Sequence, residues 1–162
     1  MISEKAIFLA KQLELVLFGD PWYGSPILFI LAHIRIETVF YKSSNNHHSI
    51  AEILLHMISW TNEVLERING KSATLPVKGD WPIVKTYTLE SWLKIVSEFE
   101  SKNKNLISSI SNKSDDFLML IPDSNRLNFL GSGVSNYDLV NGLIHHHIYH
   151  SGQISLLNKM NI

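Results

Sequence analysis

Four histidines lie within six residues near the C-terminal end of the chain: His145, His146, His147 and His150. A neutral imidazole is a common ligand for zinc, copper, iron and nickel, and it also titrates near neutral pH. The surrounding segment, residues 142–153, otherwise reads as an apolar helix. If two of these rings face a buried interior, the segment supplies much of a metal site.

The spacing of the four rings on a helix separates their roles. At about 100° per residue, His146 and His150 fall near the centre of one apolar stripe. The stripe contains Leu139, Leu143, His146, His150, Gln153 and Leu157. His147 lies on its shoulder, and His145 points toward solvent. An i, i+4 pair places two imidazoles on one face, where a single cation can bind both. From spacing alone, two core histidines that hydrogen-bond to neighbours fit equally well.

A third candidate ligand is His56, which borders a core stripe containing Ile53 and Met57 on another predicted helix. Helical bundles build metal sites from inward side chains of facing helices. The acidic partner spacing of di-iron bundles is missing here, so a site with one metal and three histidines fits better. The alternative for His56 alone is a histidine at a helix boundary, bonded to a neighbour.

Four long helices are predicted to position these residues. They run from Glu4 to Phe18, from Ser49 to Gly70, from Thr88 to about Ser111, and from Ser135 to about Lys159. Capping boxes are predicted at residues 49–52 and 135–138. A cluster of helix breakers at residues 19–26 precedes a short helix, from about Ile27 to His33. The prediction is therefore an all-α four-helix bundle with a long crossover connection, forming a single domain over residues 1–162.

One further segment is predicted to be irregular or extended. Phe117 to Ile121 and Leu127 to Leu130 flank a turn-like Asp123-Ser124-Asn125 sequence. This pattern indicates a small hairpin or an ordered loop.

Composition excludes several classes of function. Lys and Arg number 14 against 15 Asp and Glu, and without a basic run a nucleic-acid partner is not expected. The chain has no cysteine, so a metal site must use nitrogen and oxygen ligands. No signal-peptide core is visible. The apolar run from Ile27 to Ala32 is far shorter than the roughly 20 residues that span a bilayer. A cytoplasmic protein without a membrane partner is expected.

Three stretches occur in an order that points to a known family. They are residues 19–26, residues 48–60 followed by Asp80-Trp81-Pro82, and residues 146–154. Together they resemble the DinB-like superfamily of bacterial metal-binding four-helix bundles. The resemblance spans nearly the whole chain and implies a metal site formed by His56, His146 and His150. His147 stands where many relatives have an acidic residue, so no role is carried over to that position.

A three-histidine site leaves coordination positions open for water or a ligand, as in catalytic zinc sites. A bound ion could lower the pKa of water or keep a substrate thiol deprotonated. Relatives include bacillithiol- and mycothiol-dependent enzymes. The resemblance therefore implies a thiol S-transferase or hydrolase acting on a small molecule, with zinc or nickel and a low-molecular-weight thiol as cosubstrate. The alternative is a non-enzymatic, stress-associated metal-binding protein. A homodimer is expected in either case.

The sequence does not identify a general base. Glu52 and Tyr149 are candidates, but helix capping is the simpler role for Glu52, and packing or an interface for Tyr149. Three tryptophans, Trp22, Trp60 and Trp81, either line the pocket or belong to the core.

Overall fold

The computed structural model describes residues 1–44, 47–122 and 132–160. Within these residues there are seven helices and no strand, which confirms the all-α prediction. The helices are α1 (Glu4–Phe18), α2 (Ile27–Ala32), α3 (Ile36–Val39), α4 (Ile50–Ile68), α5 (Leu89–Ile110), α6 (Asp115–Met119) and α7 (Asn136–Lys159). The four long helices, α1, α4, α5 and α7, are the four that the sequence predicts.

The long helices form a bundle. Helix α4 packs against α5 and α7, and α1 packs against the same two helices. Helices α1 and α4 therefore occupy opposite corners. Each long helix contributes fully buried apolar side chains to the core between them, such as Leu13 from α1, Met57 from α4 and Phe99 from α5. The contact between α4 and α7 is the one that builds the site described below.

The start of α4 is fixed by the predicted capping box. The Ser49 hydroxyl accepts from the backbone N–H of Glu52 at 3.3 Å, and Glu52 accepts from the Ser49 N–H at 3.0 Å. Two of the unpaired N–H groups at this end of the helix are thereby satisfied. Glu52 also pairs with Lys42 at 2.7 Å, so its carboxylate is fully engaged. The next turn of α4 carries His56 into the bundle.

Both ends of α7 are also held. The Ser135 hydroxyl accepts from the Asp138 N–H at 3.1 Å. The Asp138 carboxylate accepts from the Ser135 hydroxyl at 2.6 Å, which differs from the carboxylate-to-backbone bond of a capping box. At the other end, the Arg35 guanidinium donates to the carbonyls of Asn158 and Met160 at 3.0 and 2.8 Å. These contacts fix the helix that carries His146 and His150.

The crossover at residues 69–88 joins α4 to α5 and is anchored to α4 by a buried ion pair. Glu63 and Arg67 lie 3.0 Å apart, and each is only 3% exposed. Glu63 accepts from the Thr74 N–H at 2.8 Å, and Arg67 donates to the Thr74 carbonyl at 3.1 Å. The remainder of the crossover then passes close to His56, where Asp80 and Trp81 contact it.

Two local predictions need correction. Phe117 lies in α6 rather than in a hairpin strand, because Ser114 caps this helix and two acidic residues occupy its first turn. Residues 123–130 of the predicted hairpin or loop lie outside the described part of the chain. Helix α3 was not predicted, and the short helix α2 ends at Ala32, one residue before the predicted end.

Among the described residues, no helix is long and apolar enough to cross a bilayer.

Candidate metal centre

Three histidines from two facing helices meet at the contact between α4 and α7. The Nε2 atom of His146 lies 2.9 Å from Nε2 of His56 and 3.1 Å from Nε2 of His150. One ligand atom from each ring lies within 4.8 Å of the others. The structure thus brings together the three residues that the sequence selects, although His56 precedes His146 by 90 residues. A buried cluster of this kind could hold a metal ion.

Hydrogen bonds fix the tautomers of two of the three rings. The Nδ1 atom of His56 lies 2.7 Å from the carbonyl oxygen of Asp80, which can only accept. The Nδ1 atom of His150 lies 2.6 Å from the side-chain oxygen of Gln153. Both Nδ1 atoms therefore carry the proton, and both Nε2 atoms present a lone pair. Bound histidines in metalloproteins are commonly oriented in this way.

The protons available within the cluster cannot satisfy all of its nitrogen atoms. His146 can donate from Nε2 to only one of its two neighbours, and its buried Nδ1 has no hydrogen-bond partner among the residues that the structure describes. A cation, by contrast, is a partner for all three Nε2 lone pairs. Two nitrogen ligands about 2.1 Å from one ion lie about 3.0 Å apart at a right angle and about 3.4 Å apart at the tetrahedral angle. The observed separations of 2.9 and 3.1 Å are close to the right-angle value and shorter than the tetrahedral one.

The surroundings keep the three rings neutral. Burial and, to a smaller extent, the neighbouring His150 and His56 together lower the pKa of His146 to about 3. Burial also lowers the pKa of His56 and of His150 below 6.5, against the opposing effect of the hydrogen bonds to Asp80 and Gln153. A neutral imidazole has the lone pair that a metal needs, so protons do not compete for the site at neutral pH.

Asp80 and Trp81 close one side of the cluster. The Trp81 indole stacks on His56 with ring centroids 4.0 Å apart and planes 10° apart. His48 covers the other face of Trp81 at 3.6 Å and 4°. The Asp80 carboxylate accepts from Trp60 Nε1 at 2.7 Å and lies 3.1 Å from Nδ1 of His56. The role of Asp80 was not predicted, and its only sequence signal was the Asp-Trp-Pro motif at residues 80–82.

The cluster lies in a cleft of about 650 Å³ that opens to solvent. The cleft is lined by His47, His48, Ile53, His56, Trp60, Asp80, Trp81, His146, Tyr149, His150, Gln153, Leu156 and Leu157. Trp60 and Trp81 thus line the pocket, whereas Trp22 is 96% exposed and belongs to neither pocket nor core. Tyr149 stands at the edge, where its hydroxyl accepts from the Gln153 amide at 3.2 Å.

The remaining two clustered histidines differ sharply from each other. His145 is exposed, which confirms its predicted direction. His147 is completely buried, and it lies beside the stripe that contains His146, together with Val140 and Ile154, as its predicted shoulder position implies. The inward line of α7 runs through Val140, His147 and Ile154, which are spaced seven residues apart and are all fully buried. The cleft-facing stripe with His146 lies beside this line rather than on it.

His147 is held by a polar network in the core rather than by the metal cluster. Its Nε2 atom lies 2.9 Å from the Asn103 side-chain oxygen and 3.4 Å from the Thr61 hydroxyl. Asn103 donates in turn to the Phe99 carbonyl at 2.9 Å. Burial holds the pKa of His147 well below 6.5. A neutral His147 that donates to Asn103 therefore fixes α7 against α5.

These features define a class of protein: a helical bundle in which two facing helices bring three imidazoles together at a cleft. The chain belongs to the DinB family, whose family model matches residues 22–159. That match includes all three clustered histidines and confirms the resemblance seen in the sequence. Neither a curated protein nor a solved structure matches the chain.

Proposed function

We propose that this protein is a metal-dependent enzyme of the thiol S-transferase or hydrolase type. His56, His146 and His150 hold a divalent ion in this proposal. The proposal rests on the convergence of the Nε2 atoms of three neutral imidazole rings. The rings carry too few protons for each of these nitrogen atoms to take part in a hydrogen bond with the others. Zinc and nickel both suit a set of imidazole ligands. The substrate is a small molecule that enters the open cleft beside the three rings.

The ion would act as a Lewis acid that lowers the pKa of a thiol or water beside it. The chain supplies the rest of the chemistry. Asp80 and Gln153 hold the Nε2 atoms of His56 and His150 toward the cluster, and Trp81 stacks on one face of His56. The Tyr149 hydroxyl lies at the solvent edge of the cleft, where it can hydrogen-bond to a bound substrate.

Metal content tests the ligand assignment. We expect His56→Ala, His146→Ala and His150→Ala each to lower the metal retained by the purified protein, as measured by elemental analysis. His145→Ala is the matched control, because His145 lies on the same helix and is exposed. Equal metal content in all four variants would refute the assignment.

Thiol transfer tests the reaction class. Metal-loaded protein is mixed with a panel of low-molecular-weight thiols and monochlorobimane, and the fluorescent conjugate is measured. We expect turnover that His150→Ala abolishes and His145→Ala retains. A panel of activated esters covers the hydrolase form of the proposal. No turnover with either panel would contradict an enzymatic role and leave only metal binding.

One observation favours a second function, a non-enzymatic metal-binding protein that forms a dimer. Both carboxylates near the described part of the cleft are engaged: Glu52 caps α4, and Asp80 accepts from Trp60. Both oxygen atoms of Glu52 are engaged, and one oxygen atom of Asp80 is. Exposed apolar side chains such as Trp22 and Phe29 offer a surface for a second copy. Metal retention with a dimeric mass by light scattering, and no turnover, is the result this function requires.

A further inference from the structure

A second pocket, smaller than the cleft, lies on the other side of His146. It has a volume of about 200 Å³ and lies between α4 and α7. The lining residues are Trp60, Val64, Arg67, Asp138, Leu139, Gly142, Leu143 and His146. Trp60 and His146 also line the larger cleft, so the two spaces share these two rings as a common wall. A molecule in the small pocket would lie against one of the three clustered histidines.

The lining of this pocket suits an uncharged, apolar group. Val64, Leu139 and Leu143 are buried side chains without polar atoms. The two charged lining residues are already engaged elsewhere. Arg67 pairs with Glu63 at 3.0 Å, and Asp138 accepts from the Ser135 hydroxyl. The charge of Arg67 is therefore balanced by Glu63, and Asp138 is exposed to solvent. An ion inside the pocket would lie against the apolar side chains, which is unfavourable.

Gly142 is an exposed residue that borders this open space. It lies in the interior of α7 without a positive φ, and a Cβ atom added there would meet nothing within 4 Å. Neither the backbone conformation nor a close contact therefore requires glycine, which is unfavourable in a helix interior. The structural consequence of this glycine is an unfilled wall beside Trp60 and His146.

We propose that the small pocket is a subsite for an uncharged apolar group of the size of one benzene ring or a short branched alkyl chain. An enclosed apolar cavity of about 150 Å³ binds benzene, and this pocket, which is partly open to solvent, has a volume of about 200 Å³. The assignment of that group to a substrate rests on the proposed function, with the reacting end of the substrate in the larger cleft. Binding of the apolar group itself does not depend on the metal.

Toluene is a suitable probe, and the Trp60 indole N–H resonance is a suitable reporter because Trp60 lines the pocket. Toluene is titrated into the whole chain as purified, and again after treatment with a chelator. The variant Gly142→Leu fills the pocket. The matched control is Gly152→Leu, which lies on the same helix, has equally open space around its Cβ, and lines a groove facing α2.

We expect saturable toluene binding with the wild type in both metal states. Gly142→Leu weakens it about tenfold or more, whereas Gly152→Leu leaves it within about twofold. Benzoate and benzamidine, which have the same ring with a charge, should bind more weakly than toluene. Absence of saturable binding, or equal toluene binding by wild type and Gly142→Leu, would overturn the proposal.

Two further experiments distinguish failure of the subsite proposal from failure of the proposed function. If Gly142→Leu does not fold, Gly142→Met tests the same space with a flexible unbranched side chain. Toluene bound next to His146 should have its signals broadened when paramagnetic cobalt(II) occupies the site. A protein that binds toluene but retains no metal refutes the proposed function and leaves the subsite standing. A protein that binds cobalt(II) but not toluene refutes the subsite and leaves the metal site of the proposed function standing.

Discussion

The hydrogen bond from His150 to Gln153 allows the metal proposal to be tested without removing a ligand. At 2.6 Å it is a short bond, and it determines which nitrogen atom of His150 carries the proton. Replacement of Gln153 by Met keeps the length of the side chain and removes the acceptor. Replacement by Glu keeps an acceptor oxygen and adds a negative charge, which makes the bond to Nδ1 stronger.

The structure gives the expected size of these effects. Loss of a partner that orients a metal-bound histidine lowers metal affinity about 10- to 100-fold. That range corresponds to about 1.4 to 2.7 kcal/mol of binding free energy. We expect Gln153→Met to fall within it, because Gln153 is the only hydrogen-bond partner that the structure shows for His150 Nδ1 among the described residues. Gln153→Glu should bind the metal at least as tightly as the wild type.

The assay is a zinc titration in competition with a chelator of known affinity. Gln153 also donates to the Tyr149 hydroxyl, so Tyr149→Phe controls for the loss of that second bond and should leave affinity unchanged. If Gln153→Met binds zinc as tightly as wild type, His150 is not oriented by this bond. If Gln153→Glu weakens binding as much as Gln153→Met does, the direction of the bond inferred here is wrong.

Three further predictions concern stability. Asn103→Ala removes the hydrogen-bond acceptor of the buried His147 and should lower the free energy of unfolding, measured by urea denaturation, by about 2 to 3 kcal/mol. The control is Asn105→Ala on the same helix, which should change that free energy little because Asn105 is exposed. Metal-free protein should lose stability as the pH falls below 6.5. The pKa values of His146 and His147 are lowered, that of His146 to about 3, so the unfolded chain binds protons at a higher pH than the folded chain does. Equal unfolding free energies at about pH 7.5 and about pH 5.5 would contradict this prediction. A chelator should lower the free energy of unfolding by about 4 kcal/mol relative to protein with free zinc at a thousand times its dissociation constant, and an unchanged melting curve would argue against a bound ion.

Much of the fold was predictable because its signals are local. The Ser49 cap, Gly70 after the last turn of α4 and the apolar spacing between them depend on residues within one helix. Segments that lack such signals were missed or mistaken. Helix α3 has four residues and no side-chain cap, so nothing in its sequence distinguishes it from a turn. In α6, the cap at Ser114 outweighed the extended appearance of the residues after it.

The candidate site was predictable in its ligands but not in its supports. His146 and His150 could be paired from helical spacing, and His56 was added by its position beside a core stripe. The acceptor for His56 is a backbone carbonyl, which every residue has, so the residue type of Asp80 does not reveal it. The partner of His147 was not predicted, because Asn103 lies on another helix and nothing in the spacing of α7 indicates it.

The separation of the candidate ligands along the chain has a consequence for biosynthesis. His56 precedes His146 by 90 residues, and their nitrogen atoms meet only where α4 and α7 are in contact. During translation, the first ligand leaves the ribosome long before the pair on α7 has been made. The three imidazoles of the candidate site therefore come together only when α7 docks against α4. In the proposed function, binding of the ion to all three histidines is then a late event that requires α7 to be in place.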